Sequence, residues 1–158
     1  MFKFTVFLIF MIFISPSISE DLSGFVECES TYTFPIKITH FAYEPELIVA
    51  NRSLKLEMGG ISTVTIEKGA EFVNMVYRDD ILTKIHAQDF CKIWVEPSGG
   101  HCPVEPGKFY FEWNLLASSI PQIDPINTNI TEFPRITIVN PSGYILACIE
   151  GSVVRVYP

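Results

Sequence analysis

The stretch Gln88-Asp89-Phe90-Cys91, followed after Ser98-Gly99-Gly100-His101 by Cys102-Pro103-Val104-Glu105-Pro106-Gly107, holds two cysteines eleven positions apart around a Gly-Gly turn. It reads as a hairpin that one disulfide can staple. Cys28 and Cys148 lie far out on either side and complete an even set of four. Four cysteines admit three pairings, and spacing alone does not choose among them.

The chain begins with Lys3 ahead of an apolar run from Phe4 to Ile14, then Ser17 and Ser19 as small residues at a cleavage position. This is the pattern of a secretory leader over residues 1–19. A membrane anchor needs about twenty apolar residues, and the run ends short of that at Ser15-Pro16-Ser17. Removing 19 of 158 residues leaves 139, a single domain over 20–158. All four cysteines survive cleavage, and an oxidising compartment favours two disulfides. Asn51-Arg52-Ser53 and Asn129-Ile130-Thr131 are glycosylation acceptors; Asn140-Pro141-Ser142 is excluded by its proline.

Loss of Lys3 leaves ten basic against eighteen acidic residues, a net charge of −8. Nothing in that balance favours nucleic acid or a polybasic membrane contact.

Beyond the leader, helical periodicity is nearly absent. Apolar and β-branched residues alternate in short runs that predict ten strands: 36–41, 47–50, 54–58, 62–67, 70–77, 83–90, 108–115, 135–139, 144–149 and 153–157. Breaks fall at Glu44-Pro45, Gly59-Gly60, Lys68-Gly69, Asp79-Asp80, Ser98-Gly99-Gly100 and Pro141-Ser142-Gly143. The expectation is all-β, an antiparallel two-sheet β-sandwich of immunoglobulin-like architecture. Period-2 alternation puts Leu54, Leu56 and Met58 on one face of a strand, and Phe109, Phe111 and Trp113 on one face of another. Such stripes either fill a core or line a space between the sheets.

Catalysis requires a nucleophile, a base and an orienting group in context. His40, His86 and His101 stand among scattered serines and acids, with no Gly-x-Ser-x-Gly elbow and no His-Glu-x-x-His pair. Cys91, His101 and Cys102 lack a fourth local metal ligand, and disulfide pairing accounts for the cysteines better. The expectation is therefore no enzyme, no metal and no cofactor. An immunoglobulin-like adhesion module, with Cys28 joined to Cys91, is the main alternative, although the Trp and Tyr that flank those cysteines in true immunoglobulin domains are missing.

The ordered set Val26-Glu27-Cys28, Ile36-Lys37-Ile38, Glu44-Pro45-Glu46-Leu47, Asp89-Phe90-Cys91, Cys102-Pro103-Val104, Ile120-Pro121, Phe133-Pro134 and Leu146-Ala147-Cys148-Ile149-Glu150-Gly151 resembles the ML (MD-2-related) lipid-recognition family. That family includes the Niemann-Pick type C sterol carrier and the phosphatidylglycerol/phosphatidylinositol transfer proteins. The resemblance implies a lipid cavity between the sheets and pairings of Cys28 with Cys148 and Cys91 with Cys102. It further implies a monomer that holds one lipid, phospholipid or sterol, and touches membranes transiently in a secreted or endosomal/lysosomal setting. Lipid-facing residues are then expected among Leu54, Leu56, Met58, Phe109, Phe111 and Trp113, with the opening at Ile120, Pro121 and Phe133. Two departures stand out: Gln122 to Glu132 is long and lacks a Pro-Pro-Gly turn, and there is no additional cysteine pair.

Overall fold

The computed structural model describes residues 21–49, 52–115 and 128–157. The leader, Asn51, Ile120 and Pro121 lie outside these described residues. Among the described residues ten strands run in chain order as β1 Val26–Glu27, β2 Ile36–Glu44, β3 Ile48–Val49, β4 Leu54–Ser62, β5 Glu71–Arg78, β6 Ile81–Asp89, β7 Gly107–Leu115, β8 Thr128–Val139, β9 Ile145–Glu150 and β10 Val153–Tyr157.

Three of them, in the order β2-β4-β7, form one sheet; the other seven form the second. In the larger sheet β8 is central. One side of it pairs with β5, which carries β6 at the edge. Its other side is covered along its length by β10 and then β9, and these carry β3 and β1 outside them. Among the described residues every ladder between named strands is antiparallel except β3 with β10, so the sandwich expected from the sequence is present.

Alternation explains the faces. In β8 the side chains of Glu132, Pro134, Ile136 and Ile138 are buried while Thr131, Phe133 and Arg135 are exposed. In β2, Ile36 and Ile38 point inward, and the same face continues at Phe41 because a register shift between Ile38 and His40 adds one residue. Pro134 cannot donate to a ladder; β9 and β10 part opposite it at Gly151-Ser152, where Gly151 N donates to Pro134 O at 3.2 Å. A Cβ at Gly151 would sit 2.8 Å from the Phe25 ring, so only glycine lets that ring close over the break.

Four local expectations are corrected. Gly59-Gly60 is not a turn but the middle of β4, where a Cβ on Gly60 would lie 2.5 Å from Lys37 O and 2.9 Å from the Phe109 ring. Glycine there marks close approach of a neighbouring backbone and ring rather than a reversal. Residues 62–67 form no strand: Ser62 closes β4 and Ile66 makes a single bridge to Val104. The long loop expected up to Glu132 ends sooner, because β8 starts at Thr128 to pair with β10.

The fourth concerns the cysteine span, which is no strand hairpin. Cys91–Val95 is one π-helical turn, closed by Glu96 N to Cys91 O at 2.8 Å. Cys91, Trp94 and Val95 are buried on one side of it, the i, i+3, i+4 spacing of a helical face. Ser98 Oγ donates to Trp94 O (2.8 Å) and accepts from Glu112 N (2.8 Å), which fastens the turn to β7.

The disulfides are Cys28–Cys148 and Cys91–Cys102, with no free cysteine. This excludes the Cys28–Cys91 link of the immunoglobulin-like alternative, since Cys28 sits beside β9 and donates its N–H to Cys148 O at 3.1 Å. Two disulfides fit an oxidising, extracytosolic environment.

Candidate functional site

One end of the sandwich is solid. Met58, Ile66, Phe90, Trp94, Phe111, Ile138 and Leu146 are all buried there, with Phe111 edge-on to Phe90 at 5.9 Å and stacked against Phe109 at 5.4 Å. Toward the other end, where β4 starts and β7 and β10 finish, the sheets separate around a cavity of about 270 Å³.

Its apolar wall comes from both sheets. Phe41 and Tyr43 of β2, Leu54 and Leu56 of β4, and Trp113 and Leu115 of β7 face Phe72 and Val76 of β5, Ile136 of β8 and Val153 of β10. The register makes these neighbours: Tyr43, Leu56 and Trp113 are cross-strand partners in one row, and Leu54 pairs with Leu115. Phe72, Trp94 and Trp113 form a triangle of rings with centroids 5.6 to 6.0 Å apart, which separates the cavity from the filled core. Among the described lining residues only His86 and Gln88 are exposed. Both belong to the edge strand β6, so the cavity opens along that edge.

The remaining lining residues are polar and gather on the larger sheet. Glu132 projects inward from β8 with its side chain only 1% exposed. Arg78 Nη2 meets its Oε1 at 2.5 Å, Lys84 Nζ meets the same oxygen at 3.2 Å, and Arg155 Nε lies 3.1 Å from Oε2. Burial pushes the Glu132 carboxyl up, but the Arg78 hydrogen bonds and the charges of Arg155 and Lys84 outweigh it and hold the group below its ordinary range. Asn74, in register with His86 across β5 and β6, presents a buried Oδ1 without a partner.

Of the side chains expected to face a lipid, Leu54, Leu56 and Trp113 line this cavity. Met58 and Phe111 do not; they share the same inward faces, but two residues further along each strand the sheets have closed onto the solid core. Phe109 packs against that core across Gly60. Phe133 is half exposed on the opposite face of β8 and stays out of the cavity, because period-2 alternation turns its neighbours Glu132 and Pro134 inward instead. Replacing Phe111 with alanine should therefore cost about 3 to 5 kcal/mol of stability and leave ligand uptake per folded molecule unchanged. Denaturant titration beside a binding isotherm measures both.

Sequence reasoning missed Phe41, Tyr43, Phe72, Val76, Ile136 and the whole ionic group. The alternation was visible in those strands, but which stretch of each face is walled by empty space depends on how the sheets splay. The outer surface carries a second polar group, where Lys55, Tyr110 and His40 hold the Glu57 carboxyl down at about 2. It sits on the solvent side of the three-stranded sheet; Tyr110 donates to Glu57 Oε2 at 2.5 Å, and His40 Nε2 lies 3.2 Å from the same oxygen. No group of three or more His, Cys, Asp or Glu side chains suited to a metal occurs among the described residues.

No protein-family profile and no curated protein sequence matches the chain. Solved structures do. A Niemann-Pick type C2 protein from the Japanese carpenter ant superposes with a TM-score of 0.62 at 14% identity, covering 83% of this chain and 98% of that one. Chicken MD-1, solved in complex with lipid IVa, superposes at 0.53 with 13% identity, over 85% of this chain and 88% of that one. This is the MD-2-related lipid-recognition fold. At such identities the likeness concerns the backbone, and the residues around the cavity are this chain's own.

Proposed function

We propose that the chain binds one lipid between its sheets and carries it between membranes, with phosphatidylglycerol or phosphatidylinositol ahead of sterol. The observation that supports this most is the cavity itself. Protein interiors hold few voids larger than a water molecule. The cavity is open along one edge, and water admitted there would leave its largely apolar wall hydrated, which is unfavourable. A lipid tail is a suitable occupant, since each methylene withdrawn from water gains about 0.8 kcal/mol. The lipid IVa held by MD-1 in the same fold supports a lipid occupant here.

Exchange with a membrane is supported by the edge at which the cavity opens. Ile81, Leu82 and Ile85 on β6 are exposed, an apolar rim beside the opening that suits brief contact with a bilayer. The two-disulfide frame suits a secreted or endosomal/lysosomal location. Asn129 is exposed on β8, as a glycosylated residue requires.

Mass spectrometry of the secreted protein should find one lipid per chain. Val76 is buried on the cavity wall, and Val76→Phe should fill the space, abolishing co-purified lipid and vesicle-to-vesicle transfer while the chain still folds. Lipid bound by the wild type without transfer between vesicles would make it a presenting module. Unchanged lipid content in a folded Val76→Phe protein would place the ligand elsewhere.

A further inference from the structure

Where the cavity meets the filled core, its end is made of rings. Phe72 and Trp113 line it, and Trp94 stands behind them, fully buried. Trp113 meets Phe72 at 6.0 Å and Trp94 at 5.6 Å, and Phe72 meets Trp94 at 5.6 Å. Each ring comes from a different element: Phe72 from β5, Trp113 from β7, and Trp94 from the π-helical turn that Ser98 Oγ fastens to β7. Single π turns are frequent at functional sites, and this one carries an indole to the place where the sheets part.

From the rings the wall runs outward along the strands. The inward face of β5 continues from Phe72 through Asn74 and Val76, and Arg78 at the strand's end bonds Glu132. At a rise of about 3.3 Å per residue, the rings and the ionic group stand about 20 Å apart along β5. On the facing sheet, Trp113 and its partner Leu56 are followed by Leu115 and its partner Leu54. The two ends differ in chemistry: stiff rings at one, Glu132, Lys84 and Arg155 at the other. An amphiphile matches both only when it lies lengthwise, its head at the ionic group and the end of its tail at the rings. His86 and Gln88 border the open side, so the tail lies against Leu54, Leu56, Val76 and Ile136.

We infer that the rings of Phe72, Trp94 and Trp113 are an end stop for the ligand's acyl tail and set the longest chain that the cavity takes in full. This rests on the lipid-binding reading above and specifies which chain lengths are bound best. Aromatic side chains turn about two χ angles only, and behind Trp94 the close-packed core leaves no room to retreat. Each methylene that enters the cavity strengthens binding about fourfold. Once the tail reaches the rings, further methylenes stay in water at the open end and contribute nothing, so affinity climbs with chain length and then levels off.

The test uses the full secreted chain stripped of lipid and saturated lysophosphatidylglycerols from octanoyl to stearoyl. Wild-type affinity should level off within the series. Trp113→Ala, at the half-buried ring, should move the plateau to longer chains, so that the stearoyl probe binds about tenfold more tightly than it does to wild type. Phe72→Ala opens the same end from the other sheet and should shift the plateau likewise; thermal melts establish which variants fold. A purely structural role would lower all affinities alike and leave the plateau in place. Wild type gives a second reading without any variant, because the chain's two tryptophans both stand at the stop. A probe brominated near the methyl end of its tail should quench their fluorescence more than one brominated near the ester. Wild-type affinity still climbing at stearoyl, a plateau unmoved in a folded variant, or stronger quenching from the ester-proximal bromines overturns the end stop and leaves lipid binding standing. Failure of every probe to bind removes both.

Discussion

Replacing Glu132 with leucine is expected to destabilise the fold by about 3 to 5 kcal/mol, the cost of breaking a buried ion pair by removing one partner. Its carboxylate is the shared counter-ion of Arg78, Lys84 and Arg155, so its loss removes the charge that all three meet. Urea titration of Glu132→Leu against wild type measures the loss; a change under about 1 kcal/mol would show that the cations relax into solvent. Replacing all four residues with apolar ones of similar volume should recover most of the stability, because buried ion clusters seldom stabilise more than well-packed hydrophobic residues.

The same carboxylate sets a pH dependence with a definite sign. Its pKa in the folded chain lies below the ordinary value, so the unfolded chain binds the proton first. The stabilisation is complete above the ordinary carboxylate range, near 4.5, and is lost as pH falls through the lower folded value. Wild type should therefore lose more stability on acidification than Glu132→Gln does.

The fold was legible in the sequence wherever period-2 alternation ran between recognisable turns. Strands β5, β6, β7, β9 and β10 lie within two residues of where alternation puts them. It failed where a residue type has two physical uses. Glycine at 59 and 60 signals a reversal in most contexts, but here it admits the Phe109 ring and Lys37 O. Cys91, Trp94 and Val95 carried a helical spacing that was hidden inside a span already explained by its disulfide. Glu132 was least legible of all: a lone acid in a long polar-looking segment gives no sign of facing inward until its register with Val153 on β10 and the pairing of its neighbour Phe133 with Tyr77 on β5 are known. The cavity needs still more than register, since Leu56 lines it and Met58, two residues on along the same face, does not.

The two disulfides should differ in what their removal does. Cys28 and Cys148 are 120 residues apart, whereas Cys91 and Cys102 are 11 apart. Constraint of the unfolded chain is then worth about 4 to 5 kcal/mol for the first and somewhat under about 3 for the second. The structural consequences also separate. β1 contributes only two residue pairs to β9, and the segment before Cys28 carries Phe25, whose ring covers Gly151, meets Phe41 at 4.8 Å and lines the cavity. Without its tether to β9 this segment is expected to detach, so the Cys28→Ala/Cys148→Ala variant should lose lipid binding as well as stability. The Cys91→Ala/Cys102→Ala variant loses a brace on the turn that holds Trp94, at the filled end of the sandwich, and should bind lipid normally while melting lower. Parallel melts and binding isotherms of the two variants compare these outcomes. If the short-range pair proves the costlier one to remove, the Trp94 turn, and not the closure of the long loop, is what the fold depends on.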